Sequence, residues 1–445
     1  MSDWEASILD ISDTAHKFPQ SAFAGLQKSL QHEWGFVQRV VPDIGPQFWP
    51  LEEAITNTFL SALFGKDSFE ATDYRRPLTA LPVKFSGLSI PDPSESAAAN
   101  YRCSTLVCSH LSRAVQGAIP FSTADHESTR REVLAEYRPR QIEEYEDKLD
   151  SLIKNLPNPD GNNLLARTIS RGGKTGQWLT VLPSTVSGTE LGCNEFRDAL
   201  RLRYGRTLAN LPRTCDGCGA NFSLEHALTC KVGGLIIQRH DEINQELASL
   251  STMALRNSSV RAEPLINPGS ADKVKKSPPK QGSPTPDTPP ESPDNRDRGD
   301  LLVRNLWKQG SDCIIDVRVT NLDAPSYASR DPASVLASHK KQKKKKYVEE
   351  FLMQRRTFSP FVLSSDGMLG FEANNVLKQL ARILADKWDR PYSAVCGMVK
   401  ARISIACVRA THLCLRGSRV PVSTMSRRIQ WSDGAGMGLF KIDRS

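Results

Sequence analysis

Four side chains in one short segment have the types and spacing of a zinc site: Cys215, Cys218, His226 and Cys230. Zinc takes four soft or borderline ligands in a tetrahedron, and a Cys-x2-Cys turn with glycine beside it lets two thiolates converge from one loop. Gly217 and Gly219 supply that freedom. His226 and Cys230 stand four apart, so a short helix puts both on one face, where they can close the site. The alternative is a set of buried free cysteines and a satisfied core histidine. With four protein ligands the site is closed, and its metal holds structure and does no catalysis.

A second group of residues suits phosphoryl chemistry. Two apolar runs, Leu301 to Leu306 and Cys313 to Val319, flank a turn at Lys308 to Gly310 and predict an antiparallel hairpin. Residues two apart on a strand share a face, so Asp316 and Arg318 point together, and Asp300 at the start of the neighbouring strand can meet them. Two carboxylates beside a cation are what a magnesium-dependent phosphodiesterase uses. The acids hold the ion, the ion polarises phosphate and activates water, and the cation stabilises developing charge. Acids at strand ends are equally common on ordinary surfaces, so spacing alone does not separate the two readings.

Further on, Lys340, Lys341, Lys343, Lys344, Lys345 and Lys346 put six positive charges in seven positions. That density attracts polyanions such as nucleic-acid backbones; it also fits a solvated helix face or a nuclear-import signal.

The elements that must carry these groups are mostly helical. Phe23 to Phe64 is apolar at helical spacing and is broken by Pro42 and Pro46, predicting a helical hairpin; Asn100 to Gly117, Arg130 to Leu156 and Asn194 to Tyr204 predict further helices. Leu78 to Pro93 reads as extended and turn-rich. The lysines fall on a helix after the hairpin, followed by a strand, Phe358 to Ser364, and a helix, Asn374 to Trp388. Residues 267–298 are rich in Pro, Ser, Lys and Asp with almost no large apolar side chain, which predicts a disordered insert. The expected fold class is α+β.

Bulk properties exclude other classes. The 445 residues, 39% hydrophobic and 24% charged, suit a globular protein of several domains with real cores. No apolar run approaches a membrane span, and Met1 to His16 carries Asp3, Glu5, Asp10 and Asp13, so neither a signal peptide nor a membrane anchor is expected. Ten scattered cysteines in a chain of this length suit a reducing compartment, nucleus or cytoplasm.

In this order, the parts resemble the C-terminal region of non-LTR retrotransposon reverse transcriptases whose endonuclease is restriction-like, with a CCHC zinc knuckle before a PD-(D/E)xK nuclease. The resemblance runs from about Phe18 to Gly417. HEWGFVQRVVPDIGPQFWPLEEAI (His32 to Ile55) and LTALPVKFSGLSIPDP look like the thumb of such elements, and EFRDALRLRYG (Glu195 to Gly205) like the lead into the knuckle. Arg239-His240-Asp241-Glu242 resembles the family's arginine–histidine motif, and Lys346-Tyr347 its basic helix and tyrosine. Asp300, preceded by Gly299 in place of proline, stands at the first acid and Asp316 at the second; Arg318 replaces the usual lysine two places on, and Lys343 or Lys344 is the candidate substitute.

The resemblance implies a thumb-like region at 1–125, a helical connector at 126–210, the knuckle at 211–234, a nuclease at 235–266 and 299–417 interrupted by the insert, and a tail at 418–445. It implies that Asp300 and Asp316 hold magnesium, with Glu242 completing or orienting the shell and Arg318 and Lys343 stabilising the phosphate. Arg239, His240, Lys340, Lys341, Lys344, Lys345, Lys346 and Tyr347 would contact nucleic acid. DNA is the implied partner, with element RNA and an upstream reverse-transcriptase palm as further candidates, and no membrane. No Tyr/Phe-x-Asp-Asp sequence occurs, so no polymerase activity is expected, and the chain reads as the distal part of a retroelement polyprotein. The expected activity is nicking of target DNA to prime reverse transcription; the alternative is a non-enzymatic nucleic-acid-binding remnant.

Overall fold

The run DCIIDVRVT is rich in β-branched residues, and its alternate positions Cys313, Ile315, Val317 and Val319 make one wholly apolar face, the pattern of a strand laid on a core. In a computed structural model, which describes residues 2–65, 73–158, 163–264, 298–353 and 356–420 (without the side chains of 346–353), it is the third of four strands. They are β1 (Val260–Ala262), β2 (Leu301–Arg304), β3 (Asp312–Thr320) and β4 (Thr357–Ser364), in that order across the sheet. β1 and β2, and β2 and β3, pair antiparallel; β3 and β4 pair parallel, joined through the lysine helix Pro332–Met353.

Alternation along β3 divides the labour of its two faces. Cys313, Ile315 and Val317 join Leu301, Val303, Phe361 and Leu363 in a core with three helices, Leu235–Ala254, Phe371–Trp388 and Tyr392–Arg416. Leu247, Leu250, Leu377, Leu380 and Leu384 are fully covered there, each contributing roughly 1.5–3 kcal/mol. The opposite face carries Asp316, Arg318 and Thr320, and each meets a residue of the lysine helix: Lys343, Gln342 and His339 respectively. Strand spacing of two thus matches one face of the crossing helix, and the polar side chains of β3 share the face turned away from the apolar core.

The helical remainder packs as one core. Leu26, Phe48, Leu51, Phe59, Leu63 and Leu78 from the first part meet Ile169, Trp178, Phe196, Leu200 and Tyr204. The boundary expected between 125 and 126 therefore does not separate two cores. Two ion-pair clasps tie this part to the sheet domain: Arg171 pairs with Asp323 and Asp366, and Asp198 accepts from Arg416 (2.6 Å) and His412 (2.9 Å). Arg416 and His412 lower the Asp198 pKa against its burial.

Several elements differ from expectation. An opening helix, Ser2–Lys17, was read only for its acidic residues; Asp3 and Glu5 sit in its first turn, where the helix dipole favours them, and Ile8 and Ala15 are buried. The single hairpin expected over Phe23 to Phe64 is a chain of short helices, including Pro19–Lys28, Trp34–Val40 and Trp49–Ala54. The helices Leu164–Thr175 and Tyr392–Arg416 and the strand β1 were not expected. Tyr392–Arg416 packs on both the sheet-domain helices and, through Ile405, the helical core, so it shows no one-sided period. The expected insert at 267–298 lies outside the described residues, apart from Arg298. Among the described residues no helix is long and apolar enough to cross a membrane.

Candidate functional site

The knuckle is built from a turn and one short helix. Gly219 N–H donates to Cys215 O (2.9 Å) and Cys215 N–H to Ala220 O (2.8 Å), with Gly219 at φ +73°, where a side chain would be strained. Ser223 caps the helix Leu224–Thr229 by accepting from His226 N–H (3.0 Å), which aims His226 and Cys230 back at the turn. The ligand atoms of Cys215, Cys218, His226 and Cys230 all lie within 4.8 Å of one another. Cys218 Sγ is 3.4 Å from His226 Nε2 and 3.9 Å from Cys230 Sγ; a tetrahedral zinc with ordinary bond lengths separates its ligands by about 3.5–3.8 Å. Burial works to raise the Cys215 thiol, but the N–H groups of Cys218 and Gly217 and the His226 side chain bring it down to about 6, toward the thiolate that zinc requires. The donor set and its geometry fit a zinc ion. Among the described residues this is the one cluster of three or more Cys, His, Asp or Glu groups drawn together in this way.

Two arginines hold the knuckle helix from behind. Its last carbonyls lack partners within the helix, and Arg419 donates to Ala227 O (3.1 Å) while Arg239 donates to Leu228 O (3.1 Å). Arg419 is only 1% exposed, lies over the Phe222 ring at 5.3 Å and also reaches Cys414 O. Its own N–H and the Ser418 hydroxyl donate to Asp216, inside the Cys-x2-Cys turn (2.8 and 2.9 Å). A Cβ on Gly217 or Gly233 would come within 2.7 or 2.5 Å of Arg419, so both positions must be glycine for this approach. Sequence reading assigned Arg419 to a tail and gave it no role; a lone arginine after a helix carries no periodic signal. Arg419→Ala is expected to speed zinc transfer to a chromogenic chelator about tenfold or more, as loss of outer-shell support does at other metal sites.

Arg239 was expected to contact nucleic acid. It is 5% exposed, and its guanidinium is committed to the knuckle helix, so that role is corrected to a structural one.

Asp300 and Asp316 come together. Asp300 stands just before β2, where its N–H donates to Ile315 O (3.1 Å), and its Oδ2 accepts from Val317 N–H (2.5 Å) and meets His240 Nε2 (3.2 Å). The two carboxyl groups are close enough to interact through a hydrogen bond, and Lys343 Nζ pairs with Asp316 Oδ2. Burial pushes Asp300 up, but the hydrogen bond and charge of His240 with the Val317 N–H outweigh it and hold Asp300 below its usual value. Burial dominates at Asp316, which stays raised despite Lys343 because Asp300 adds to the effect. His240 is raised to about 8 by its hydrogen bond to Asp300, against its own burial. Environments that drive two adjacent carboxylates apart mark functional sites more often than inert surface.

The other expected residues divide. Glu242 is two positions from His240, about 200° round the helix, and the charges that act on its buried carboxyl are Arg409, Glu246 and Glu195. It does not join Asp300 and Asp316; His240 is the residue of that helix that does. Arg318 donates to Gln342 Oε1 (3.0 Å) and is not turned to the acids. Lys344 pairs with Glu372 (2.7 Å), Lys340 lies over the Phe371 ring (5.5 Å), and Lys341 and Lys345 are exposed. The side chains of Lys346 and Tyr347 lie outside the described residues.

His339 anchors this helix. Its Nδ1 is 2.9 Å from Thr320 Oγ1 and its Nε2 3.1 Å from Tyr327 OH, two hydroxyls that between them satisfy a neutral ring. Burial, then Arg318 and Arg330, lower its pKa to about 4. The unfolded chain takes up this proton near pH 6.5 and the folded chain does not, so stability is lost as pH falls from 6.5 toward 4. We expect about 1 kcal/mol between pH 6.5 and 5 after solvent screening. Urea midpoints across that range should fall less for His339→Gln, which keeps polar contacts but does not titrate; parallel curves would contradict this.

Compared with protein-family models and with curated proteins, the chain matches none.

Proposed function

We propose that the chain is a nucleic-acid-binding retroelement segment with a metal-dependent endonuclease of the PD-(D/E)xK kind, and that the knuckle holds structural zinc. The observation that carries this reading is the meeting of Asp300, Asp316 and Lys343, from the entry to β2, from β3 and from the crossing helix. Two acids, with no third joining them among the described residues, suit magnesium, which binds through one or two carboxylates and leaves its other positions to phosphate oxygens and water. When bound, such an ion supplies charge neutralisation and an acidified water.

The chain's own groups do the positioning. His240 and the Val317 N–H fix the Asp300 carboxylate through Oδ2. Lys343, beside Asp316, stands where a lysine can hold a non-bridging phosphate oxygen and stabilise its growing charge. It takes the place that Arg318 does not fill. Exposed Lys341 and Lys345 on the same helix draw the backbone of the substrate to the centre. Nuclear or cytoplasmic location follows from that substrate.

The competing reading, binding without cleavage, draws on one observation: the acids already carry counter-charges from His240 and Lys343, and Arg318 is turned away. Supercoiled plasmid and magnesium separate the two. Relaxation by the native chain and none by Asp316→Ala is expected; equal inactivity with retained, salt-sensitive DNA binding would favour the remnant.

A further inference from the structure

Phe371 is the most exposed aromatic side chain among the described residues, at 69%. It opens the helix Phe371–Trp388, and its backbone is held firmly: Gly370 N–H donates to Val362 O of β4 (2.9 Å) and Gly370 O accepts from Asn374 N–H (3.0 Å). Phenylalanine has no polar handle to reward exposure.

That placement is specific. Lys340 and Lys344, one turn apart on the lysine helix, both reach this point, the first lying over the Phe371 ring at 5.5 Å and the second pairing with Glu372. Lys343, between them, pairs with Asp316. The ring and the paired acids are therefore reached from the same turn of the lysine helix, and the ring has a cation against it and ample open surface. Lys341 and Lys345 are exposed on the same helix. An exposed, anchored ring edged by lysines matches the two halves of a nucleotide: a flat base that stacks and a phosphate that wants positive charge.

We infer that Phe371 is a stacking platform for an unpaired base next to the scissile phosphate, so that the favoured substrate is DNA with a locally opened or single-stranded segment and not a fully paired duplex. This rests on the nucleic-acid reading proposed above and specifies its substrate class. A paired base offers only its edge in a groove, whereas an unpaired one can turn its face to the ring at little cost.

The test uses the full chain with calcium in place of magnesium, to read binding without cleavage, and two fluorescent DNAs: a paired duplex and the same duplex with a single-stranded flap. The native chain should bind the flap DNA more tightly. Phe371→Ala should weaken flap binding about five- to hundredfold and duplex binding less than about twofold, while Phe371→Trp retains the preference. Equal effects of Phe371→Ala on both DNAs, or none on either, would overturn the platform. A Lys341→Ala/Lys345→Ala variant keeps the two readings apart. If it weakens both DNAs in a salt-dependent way while Phe371→Ala does nothing, the platform fails and nucleic-acid binding stands; if the native chain binds neither DNA, both fail.

Discussion

Chelation of zinc, or replacement of Cys215 and Cys218 by serine, is expected to melt the knuckle and release the segment behind it. The apolar support here is slight: Leu228, Leu235 and Cys414, with Leu413 packed against them. The four ligand groups are held by backbone turns and by one another, so without metal they leave three cysteine sulfurs and an imidazole crowded together. Structural zinc in small knuckles supplies on the order of 10–16 kcal/mol of binding energy that becomes folding energy. The Asp216 contacts to Ser418 and Arg419, and the arginine grips on Ala227 and Leu228, depend on that geometry. Zinc content should drop from one per chain to none, and trypsin should cleave after Arg416 and Arg419 far faster than in the loaded protein. DNA affinity should fall together with zinc. A zinc-free variant with native protease resistance and full affinity would contradict this account of the knuckle.

The second large effect is expected at Lys343. Removing it strands a carboxylate that is 7% exposed beside another acid, and leaving a buried charge without its partner costs several kcal/mol unless the group takes up a proton. Plasmid nicking by Lys343→Ala should drop about 10²–10³-fold, the range seen when one stabilising donor is removed from a reacting centre. Lys343→Arg keeps the charge but not the compact ammonium, and should recover part of the loss. Arg318→Ala, by contrast, removes a group bonded to Gln342 and should cost less than tenfold. If Arg318→Ala were the more damaging change, the assignment of the two cations would be reversed.

How far these features could be read in advance depended on whether they were local. The zinc ligands lie within sixteen consecutive residues, and their spacing alone sets their geometry. The β2–β3 hairpin and the lysine helix were legible because alternation and charge density act over short windows. Asp300 and Asp316 could be paired through the hairpin register. Glu242 and His240 could not be told apart: both belong to one polar stretch, and only the rotation of Leu235–Ala254 against the sheet decides which reaches Asp300. Arg239 failed for the same reason, since it points from that helix into the knuckle. Tyr392–Arg416 was invisible because a helix covered on several sides has no polar stripe to reveal its period. Arg419 and Phe371 are single residues whose meaning comes wholly from distant partners.

Cleavage depends on being offered a suitable DNA, whereas metal uptake at the two acids does not, so the most direct test of the centre is a manganese titration followed by the loss of the free-ion signal in electron paramagnetic resonance. With zinc already in the knuckle, the native chain should take up manganese, magnesium should displace it, and Asp300→Asn and Asp316→Asn should each abolish the uptake. Equal uptake by the native chain and both variants, or none by the native chain, would contradict a metal-dependent nuclease centre at Asp300 and Asp316.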